Sequence, residues 1–191
     1  MGIIKQPRPV LLLIAAFSSS EEILQAGKQH MIQDFGPIWQ ESPTFRFDEF
    51  TLYYEKEMGK ILFKRFWAFE TLINPGTLST IKRRTNQREI EIAEKFKTGG
   101  SVPRPLNLDP GYIDLGKLIL ASTKDHSHRI YLNDGIFAET TLIYTKKHWQ
   151  TLAWTYPDYQ SNEYHQFFDK CRNYLCQKYQ TPSEMERNNG F

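Results

Sequence analysis

The chain has 191 residues, with 24 Lys and Arg against 22 Asp and Glu, so its formal net charge is +2. Hydrophobic residues at 40% and charged residues at 24% exclude collagen, a coiled coil, a disulfide-stapled miniprotein and a fully disordered chain. The charge balance also excludes a general polycation, although it is compatible with a local basic patch. A single domain over residues 1–191 is the default at this length, with an ordered core over about 8–180 and a polar tail over 181–191.

The cysteines and the first apolar run bear on the compartment. Cys171 and Cys176 lie five residues apart in a predicted helix and point about 140° apart around its axis, so a reduced, cytoplasmic protein is expected. Lys5 and Arg8 before the apolar run Val10–Phe17 are similar to a weak signal peptide, but a buried core strand fits the run better. No stretch approaches the roughly 18 apolar residues of a membrane helix, so no membrane partner is expected.

The first half of the chain alternates strand and helix signals. Val10–Phe17 predicts a strand, and a capping box of Ser19 and Glu22 predicts the start of the helix after it. Ile38–Phe47 is predicted to be extended, and the alternation over Ile61–Phe69 predicts a further strand. The order at this end of the chain is therefore β-α-β-β.

A long helix is predicted over residues 75–96, because Asn74-Pro75 is a cap followed by a proline at the first helical position. Gly99-Gly100 and several prolines then indicate an irregular loop, and long loops are often functional. Tyr112–Ser122 is apolar and ambiguous between helix and strand. The inner face of the long helix is expected to carry Leu78, Ile81, Thr85, Ile92 and Phe96.

The last third predicts a β-rich block and a helix. Asn133-Asp134-Gly135 is a hairpin signal between the predicted strands Arg129–Leu132 and Ile136–Tyr144, and Trp149–Trp154 predicts a third strand. Apolar residues at helical spacing from Tyr164 to Leu175 predict a final helix. We therefore expect an α+β single-domain sandwich with a ferredoxin-like β-α-β-β-α start, whose sheet is extended by the hairpin block before the final helix.

Four motifs between Asn107 and Tyr159 read Asn-Leu-Asp-Pro-Gly-Tyr, His-Arg-Ile-Tyr-Leu, Ala-Glu-Thr-Thr-Leu and Trp-Thr-Tyr-Pro-Asp-Tyr. Together with Asp48–Gly59, they resemble the prokaryotic family DUF4416 over nearly all of residues 8–180. The resemblance implies a bacterial or archaeal, intracellular, single-domain protein. It implies no activity, so no catalytic residue is carried over from the family.

Polar residues concentrate at the predicted hairpin: Lys124, His126, His128, Arg129 and Glu139. With Asp134-Gly135 at the centre of the turn, Glu139 is expected opposite Ile130, and with Asn133-Asp134 there it is expected opposite His128. In an enzyme, His128 would be the acid or base and Glu139 its orienter, while Arg129 and Lys124 would stabilise charge. The alternative is a solvated strand end with a surface ion pair.

A metal site is the weaker interpretation of the same cluster. His126, His128 and Glu139 supply three candidate ligands, and Asp109 or Asp125 could complete the set. Two histidines alone are a weak signal, however, and nothing in the spacing demands a metal. No metal and no cofactor is therefore predicted.

The leading hypothesis is one pocket for an anionic ligand such as a nucleotide or another phosphate ester, because cations and aromatic rings fall on the same segments. Its candidate ligand contacts are Asn107, Asp109, Tyr112, Trp154, Tyr156, Asp158, Tyr159 and Arg84. Tyr53-Tyr54 is either a pocket rim or a polar edge. Neither a Walker-type phosphate loop, nor G-x-G-x-x-G, nor a G-x-S-x-G elbow occurs, which argues against the standard nucleotide and hydrolase folds.

The competing hypothesis is a non-enzymatic module that binds RNA or protein through the basic helix 75–96 and the aromatic loop 154–159. Lys82, Arg83, Arg84 and Arg88 lie on that helix, and they are alternatively a solvated face braced by nearby glutamates. The sequence predicts neither the reaction nor the oligomeric state.

Overall fold

The computed structural model describes residues 2–51, 53–97 and 102–180. Within these residues, nine strands form one antiparallel sheet and four helices accompany it, which confirms the predicted α+β class. The strands are β1 Val10–Ser18, β2 Ile38–Glu41, β3 Phe45–Arg46, β4 Phe63–Ile73, β5 Asn107–Ile113, β6 Lys117–Ser122, β7 Ile130–Asn133, β8 Ile136–Thr145 and β9 His148–Thr151. The helices are α1 Glu21–Phe35, α2 Glu55–Met58, α3 Leu78–Lys95 and α4 Asn162–Tyr179. Among the described residues, no helix combines the length and the hydrophobicity that crossing a bilayer requires.

The sheet has the order β2-β4-β1-β5-β6-β8-β7, while β3 pairs with β4 and β9 pairs with β8. All nine residues of β1 are buried, because helices cover both faces of the sheet at this strand. Leu12 and Ile14 face α1 and α3, whereas Leu11 and Leu13 face α4. A strand buried on both faces has a continuous apolar sequence, and the predicted core strand is confirmed.

The predicted helices α1 and α3 are confirmed, with small changes at the residues where they begin. Asn74 caps a 3-10 turn over Pro75–Thr77, so α3 itself begins three residues later than its proline. The capping box predicted for α1 is wrong, because β1 continues to Ser18 and the helix begins one residue later than expected. Ser20 is the cap, and its hydroxyl accepts from the amide of Ile23.

The ambiguous segment Tyr112–Ser122 is part of a hairpin of β5 and β6. Asp114 makes the turn by accepting hydrogen bonds from the two backbone amides that follow it at Gly116 and Lys117. The two strands pair only from Gly111 opposite Leu120 to the turn. Beyond that pair they diverge, which leaves a gap in the sheet beside the first residues of β5.

The hairpin of β7 and β8 turns at Asp134-Gly135, and both residues have the positive φ that a tight two-residue turn requires. A β-bulge between Tyr131 and Asn133 then shifts the register by one residue. Ile130 therefore lies opposite Ala138, so both registers predicted for Glu139 are wrong. Gly99-Gly100 and the polar tail from residue 181 lie outside the described residues.

At Gly111 the backbone of β5 lies close to β6, because a Cβ added there would overlap the backbone carbonyl oxygen of Ile119. Gly111→Ala is expected to lower the free energy of unfolding by about 3 kcal/mol, since backbone cannot move as a flexible side chain can. Urea unfolding followed by circular dichroism measures the change. Gly116→Ala is the matched control in the same hairpin, where the nearest atom to an added Cβ is 3.7 Å away; an equal loss in both variants would contradict the close approach.

Candidate ligand-binding site

A cavity of about 640 Å³ lies at the gap between β5 and β6, within the described part of the chain. Its floor comes from the ends of β1, β4 and β5 and from α3, and its mouth comes from three loops. The described parts of these loops are residues 47–51, 53–54, 122–129 and 156–159. Segments distant in sequence therefore contribute charged and aromatic side chains to one hollow.

Lys64 brings one deeply buried ammonium group to this cavity. It lies on β4 beside Phe17 of β1, on the face that carries α4, and its side chain is only 3% exposed. Its Nζ donates a hydrogen bond to Oδ2 of Asp158 at 2.6 Å, and this is its one acceptor among the described residues. Five aromatic rings surround the ammonium group at 4.4–5.8 Å from Nζ: Phe17, Phe47, Phe66, Tyr159 and Tyr164. Two of its three N–H donors are therefore left without an acceptor inside the described fold.

Lys82 brings a second buried ammonium group to the cavity from α3. Its Nζ donates to the carbonyl oxygen of Leu108 at 2.9 Å and to Oδ1 of Asp109 at 3.0 Å. Burial raises the pKa of Asp109, but the positive charge of Lys82 and its hydrogen bond outweigh burial, so the pKa lies below its ordinary value. Asp109 is thus ionised, and Asn107 donates to its other oxygen at 2.7 Å.

Arg104 continues this network away from Lys82. Its Nη2 donates to Oε2 of Glu89 at 3.1 Å and also to Oδ1 of Asn107. Glu89 accepts a further hydrogen bond from the amide of Leu108, and burial raises the pKa of this carboxyl. A continuous chain of hydrogen bonds therefore connects Glu89 with Lys82 along one side of the cavity.

Arg129 fixes the opposite wall. Its Nε donates to Oε2 of Glu139 at 2.7 Å, and its Nη1 donates to the hydroxyl of Ser122 and to the carbonyl oxygen of Lys124. Its Nη2 donates to the hydroxyl of Tyr156 at 2.8 Å. Four of the five guanidinium N–H groups are thus used within the protein, so Arg129 joins strand, loop and rim rather than presenting a free cation.

His128 lies behind Glu139 and is absent from the cavity wall. Its Nε2 is 3.1 Å from Oε2 of Glu139, and its ring is stacked between those of Trp154 and His126 at centroid distances of 5.1 and 5.8 Å. Trp154 is fixed by a hydrogen bond from Nε1 to the carbonyl oxygen of Thr140. The prediction placed the His128 imidazole at the ligand with Glu139 behind it. In the structure the Glu139 carboxylate faces the cavity, and the His128 imidazole supports it from behind.

Residues 8–174 of the chain match the family model for a domain of unknown function, DUF4416. The chain belongs to the DUF4416 family. Comparison with the curated proteins and with the solved structures gave no match. The family resemblance of the sequence motifs is thus confirmed.

Eight of the twelve predicted site residues line this cavity in the DUF4416 fold: Asn107, Asp109, Lys124, Arg129, Glu139, Tyr156, Asp158 and Tyr159. Besides His128 and Trp154, Arg84 and Tyr112 do not line it. Tyr112 lies on the opposite face of β5 from Asp109, since side chains alternate along a strand, and it borders a separate cleft with Arg8.

The basic helix has partners of its own. Arg84 and Arg88 both donate to Asp34 of α1 at 2.6–2.8 Å, and Arg83 is 3.1 Å from Asp134. Lys82 is buried rather than solvated, contrary to the expectation of a solvated face at this residue. The cations of α3 are therefore largely neutralised by carboxylates of neighbouring elements.

Cavity residues that were not predicted from the sequence include Lys64, Arg104 and the aromatic loop residues Phe47 and Phe50. The sequence did contain a signal for Lys64. Side chains alternate between the two faces of a strand, and Lys64 is the one charged residue between the apolar residues Leu62 and Phe66 on the same face. Arg104 and the loop residues carried none, since no periodicity places them. Among the described residues, no group of three or more His, Cys, Asp or Glu side chains is placed to hold a metal ion.

The buried pair of Lys64 and Asp158 is expected to be structural as well as functional. Asp158→Asn should lower the free energy of unfolding by about 3 kcal/mol, because it leaves a buried ammonium group without its counter-charge. The double variant Lys64→Met/Asp158→Asn should recover part of that loss, as measured by urea unfolding. Arg83→Gln, at an exposed pair, should cost less than about 1 kcal/mol. If Asp158→Asn costs no more than this control, the pair is not a buried ionic interaction.

The stability contributed by Asp34 is expected to depend on pH. Hydrogen bonds from Arg88 and Arg84 hold the pKa of its carboxyl well below the ordinary value, although burial opposes them. A carboxyl whose pKa is lower in the folded state than in the unfolded state stabilises the fold at any pH above its unfolded-state pKa, which is ~3.9 for Asp. This stabilisation is lost as the pH falls through the folded-state pKa. Asp34→Asn should therefore be less stable than the wild type at pH 7, and urea unfolding should show the difference narrowing below about pH 4. A difference that is constant with pH would contradict this origin.

Proposed function

We propose that the cavity binds the anionic group of a small molecule, and that a phosphate ester such as a nucleotide is the class of ligand. One observation carries the proposal: two almost completely buried ammonium groups, those of Lys64 and Lys82, line the same cavity, and each has more N–H donors than acceptors among the described residues. A buried ammonium group with unsatisfied donors is costly, and an anionic ligand would satisfy them.

The charges around the cavity favour an anion over a cation. Lys64, Lys82, Arg104 and Arg129 each contact one carboxylate, namely Asp158, Asp109, Glu89 and Glu139 respectively. Lys124 is a fifth cation on the wall, and its described polar contact is the Tyr53 hydroxyl rather than a carboxylate. The described cavity with its contacting carboxylates therefore has an excess of one positive charge, so an incoming anion is attracted to it.

The size of the hollow supports a small molecule as the ligand. A volume of about 640 Å³ lies inside the range of roughly 300–1,000 Å³ that is usual for small-molecule sites. Its lining combines aromatic rings with five Lys and Arg side chains, and these cations suit an anionic ligand. Glu139, backed by His128, is the group we propose for acid–base chemistry if the ligand is a substrate.

The RNA- or protein-binding alternative remains a prediction. The carboxylate partners of Arg84 and Arg88 weaken its basis, because a paired guanidinium has fewer donors for phosphates. We also propose that the first half of the fold is a ferredoxin-like unit. Its support is the antiparallel order β2-β4-β1-β5, with α1 and α3 packed against the same face of the sheet.

Isothermal titration calorimetry of the full chain with ribose 5-phosphate and with inorganic phosphate tests the proposal. The wild type is expected to bind ribose 5-phosphate. Lys64→Met/Asp158→Asn should weaken that binding by about tenfold or more, because it removes the buried donors while leaving the net charge unchanged. Lys124→Met should weaken it less and should reduce its dependence on salt.

Lys28→Met is the control, since Lys28 lies on α1 and pairs with Glu41 outside the cavity. The Lys28→Met variant should bind ribose 5-phosphate as tightly as the wild type does. Thermal unfolding of each variant establishes that it is folded before the titration. Equal affinity in the control and in Lys64→Met/Asp158→Asn would overturn the assignment of the anion to the cavity floor.

A further inference from the structure

Exposed aromatic side chains of this protein concentrate at the mouth of the cavity. In the described part of the chain, five aromatic residues are exposed: Phe50, Tyr53, Tyr131, Trp154 and Tyr156. Three of them, Phe50, Tyr53 and Tyr156, line the cavity mouth, whereas Tyr131 is on β7 and Trp154 is stacked on His128. Large apolar groups left in contact with water beside a cavity indicate a surface that a ligand covers.

Tyr53 is the most open of the three, with 66% of its surface exposed. The neighbouring Tyr54 meets it edge to face at a centroid distance of 4.9 Å, and Tyr54 itself packs against Phe17 and Phe47. The exposed ring is therefore supported from below by a buried aromatic cluster. Burial raises the pKa of Tyr54, so this supporting ring stays neutral.

Lys124 reaches across the mouth to the same ring. Its Nζ is 5.1 Å from the centroid of the Tyr53 ring and 3.4 Å from the Tyr53 hydroxyl. One long hydrogen bond and one exposed cation–π contact hold this flexible side chain weakly. An entering ring can therefore displace Lys124 from Tyr53 at little cost.

We infer that the mouth is a subsite for a planar ring, so that the ligand is a phosphorylated nucleoside whose base stacks on Tyr53 while its phosphate reaches Lys64 and Lys82. The assignment rests on the anion site proposed above for the floor. Stacking on an aromatic side chain is favourable for every base, because each base has a π face. A sugar phosphate without an aromatic base would leave Phe50 and Tyr156 uncovered.

Calorimetry on the full chain tests the ring subsite. The ligands are ribose 5-phosphate, inorganic phosphate, and the nucleosides adenosine, guanosine, cytidine and uridine, each unphosphorylated and as its 5′-monophosphate. At least one nucleoside monophosphate is expected to bind about tenfold tighter than ribose 5-phosphate. Tyr53→Ala should abolish most of this gain, whereas Tyr53→Phe should retain it. Ribose 5-phosphate should bind the wild type and both variants equally. Phe50→Ala is a second variant at the mouth, and Tyr131→Ala is the control at an exposed ring outside the cavity.

The outcomes separate the ring subsite from the anion site. If ribose 5-phosphate binds but no monophosphate binds tighter, or if Tyr53→Ala weakens all ligands equally, the ring subsite is overturned and the anion site stands. If unphosphorylated nucleosides bind while ribose 5-phosphate and inorganic phosphate do not, the ring subsite stands and the anion site fails. Absence of binding by all these compounds overturns both.

Discussion

Two lysine ammonium groups are buried where β5 and β6 separate, and the arrangement of the cavity depends on how their charge is compensated. Lys64 reaches Asp158 at 2.6 Å, and Lys82 reaches Asp109 at 3.0 Å. Removing an ammonium group from water costs several kcal/mol even after relaxation, so each pair has to be accurately placed. The loop before α4 and the start of β5 are therefore fixed relative to β4 and α3 by charge as well as by packing.

Compensation of this kind does not satisfy every donor. The Asp158 carboxylate accepts one hydrogen bond from Lys64, and the other groups around that ammonium among the described residues are aromatic rings. A fold optimised only for stability could replace such a pair with apolar residues of similar volume at no loss. An anion bound in the cavity, as proposed above, would complete the hydrogen bonds of the two buried ammonium groups.

The opposite wall uses a different principle. Arg129 is a rigid planar donor that joins Glu139, Ser122 and Tyr156, so its hydrogen bonds connect strand β8, the end of β6 and the loop before α4. The β-bulge in the hairpin contributes to this arrangement, because it shifts the strands by one residue and leaves Ile130 opposite Ala138. The guanidinium of Arg129, predicted from the sequence to stabilise charge in an active site, is thus mainly a support for the wall.

The sequence by itself determined the α+β class, the core strand predicted over Val10–Phe17, the long helices and the family, because local periodicity and long motifs are written in neighbouring residues. It also indicated that residues from Asn107 to Tyr159 would gather polar and aromatic groups. Only the tertiary structure decided that Lys64 joins them, that Tyr112 faces away, and that His128 stands behind Glu139. The reason is that a strand register, a gap between strands and a contact over 94 residues depend on long-range packing, which no local pattern records.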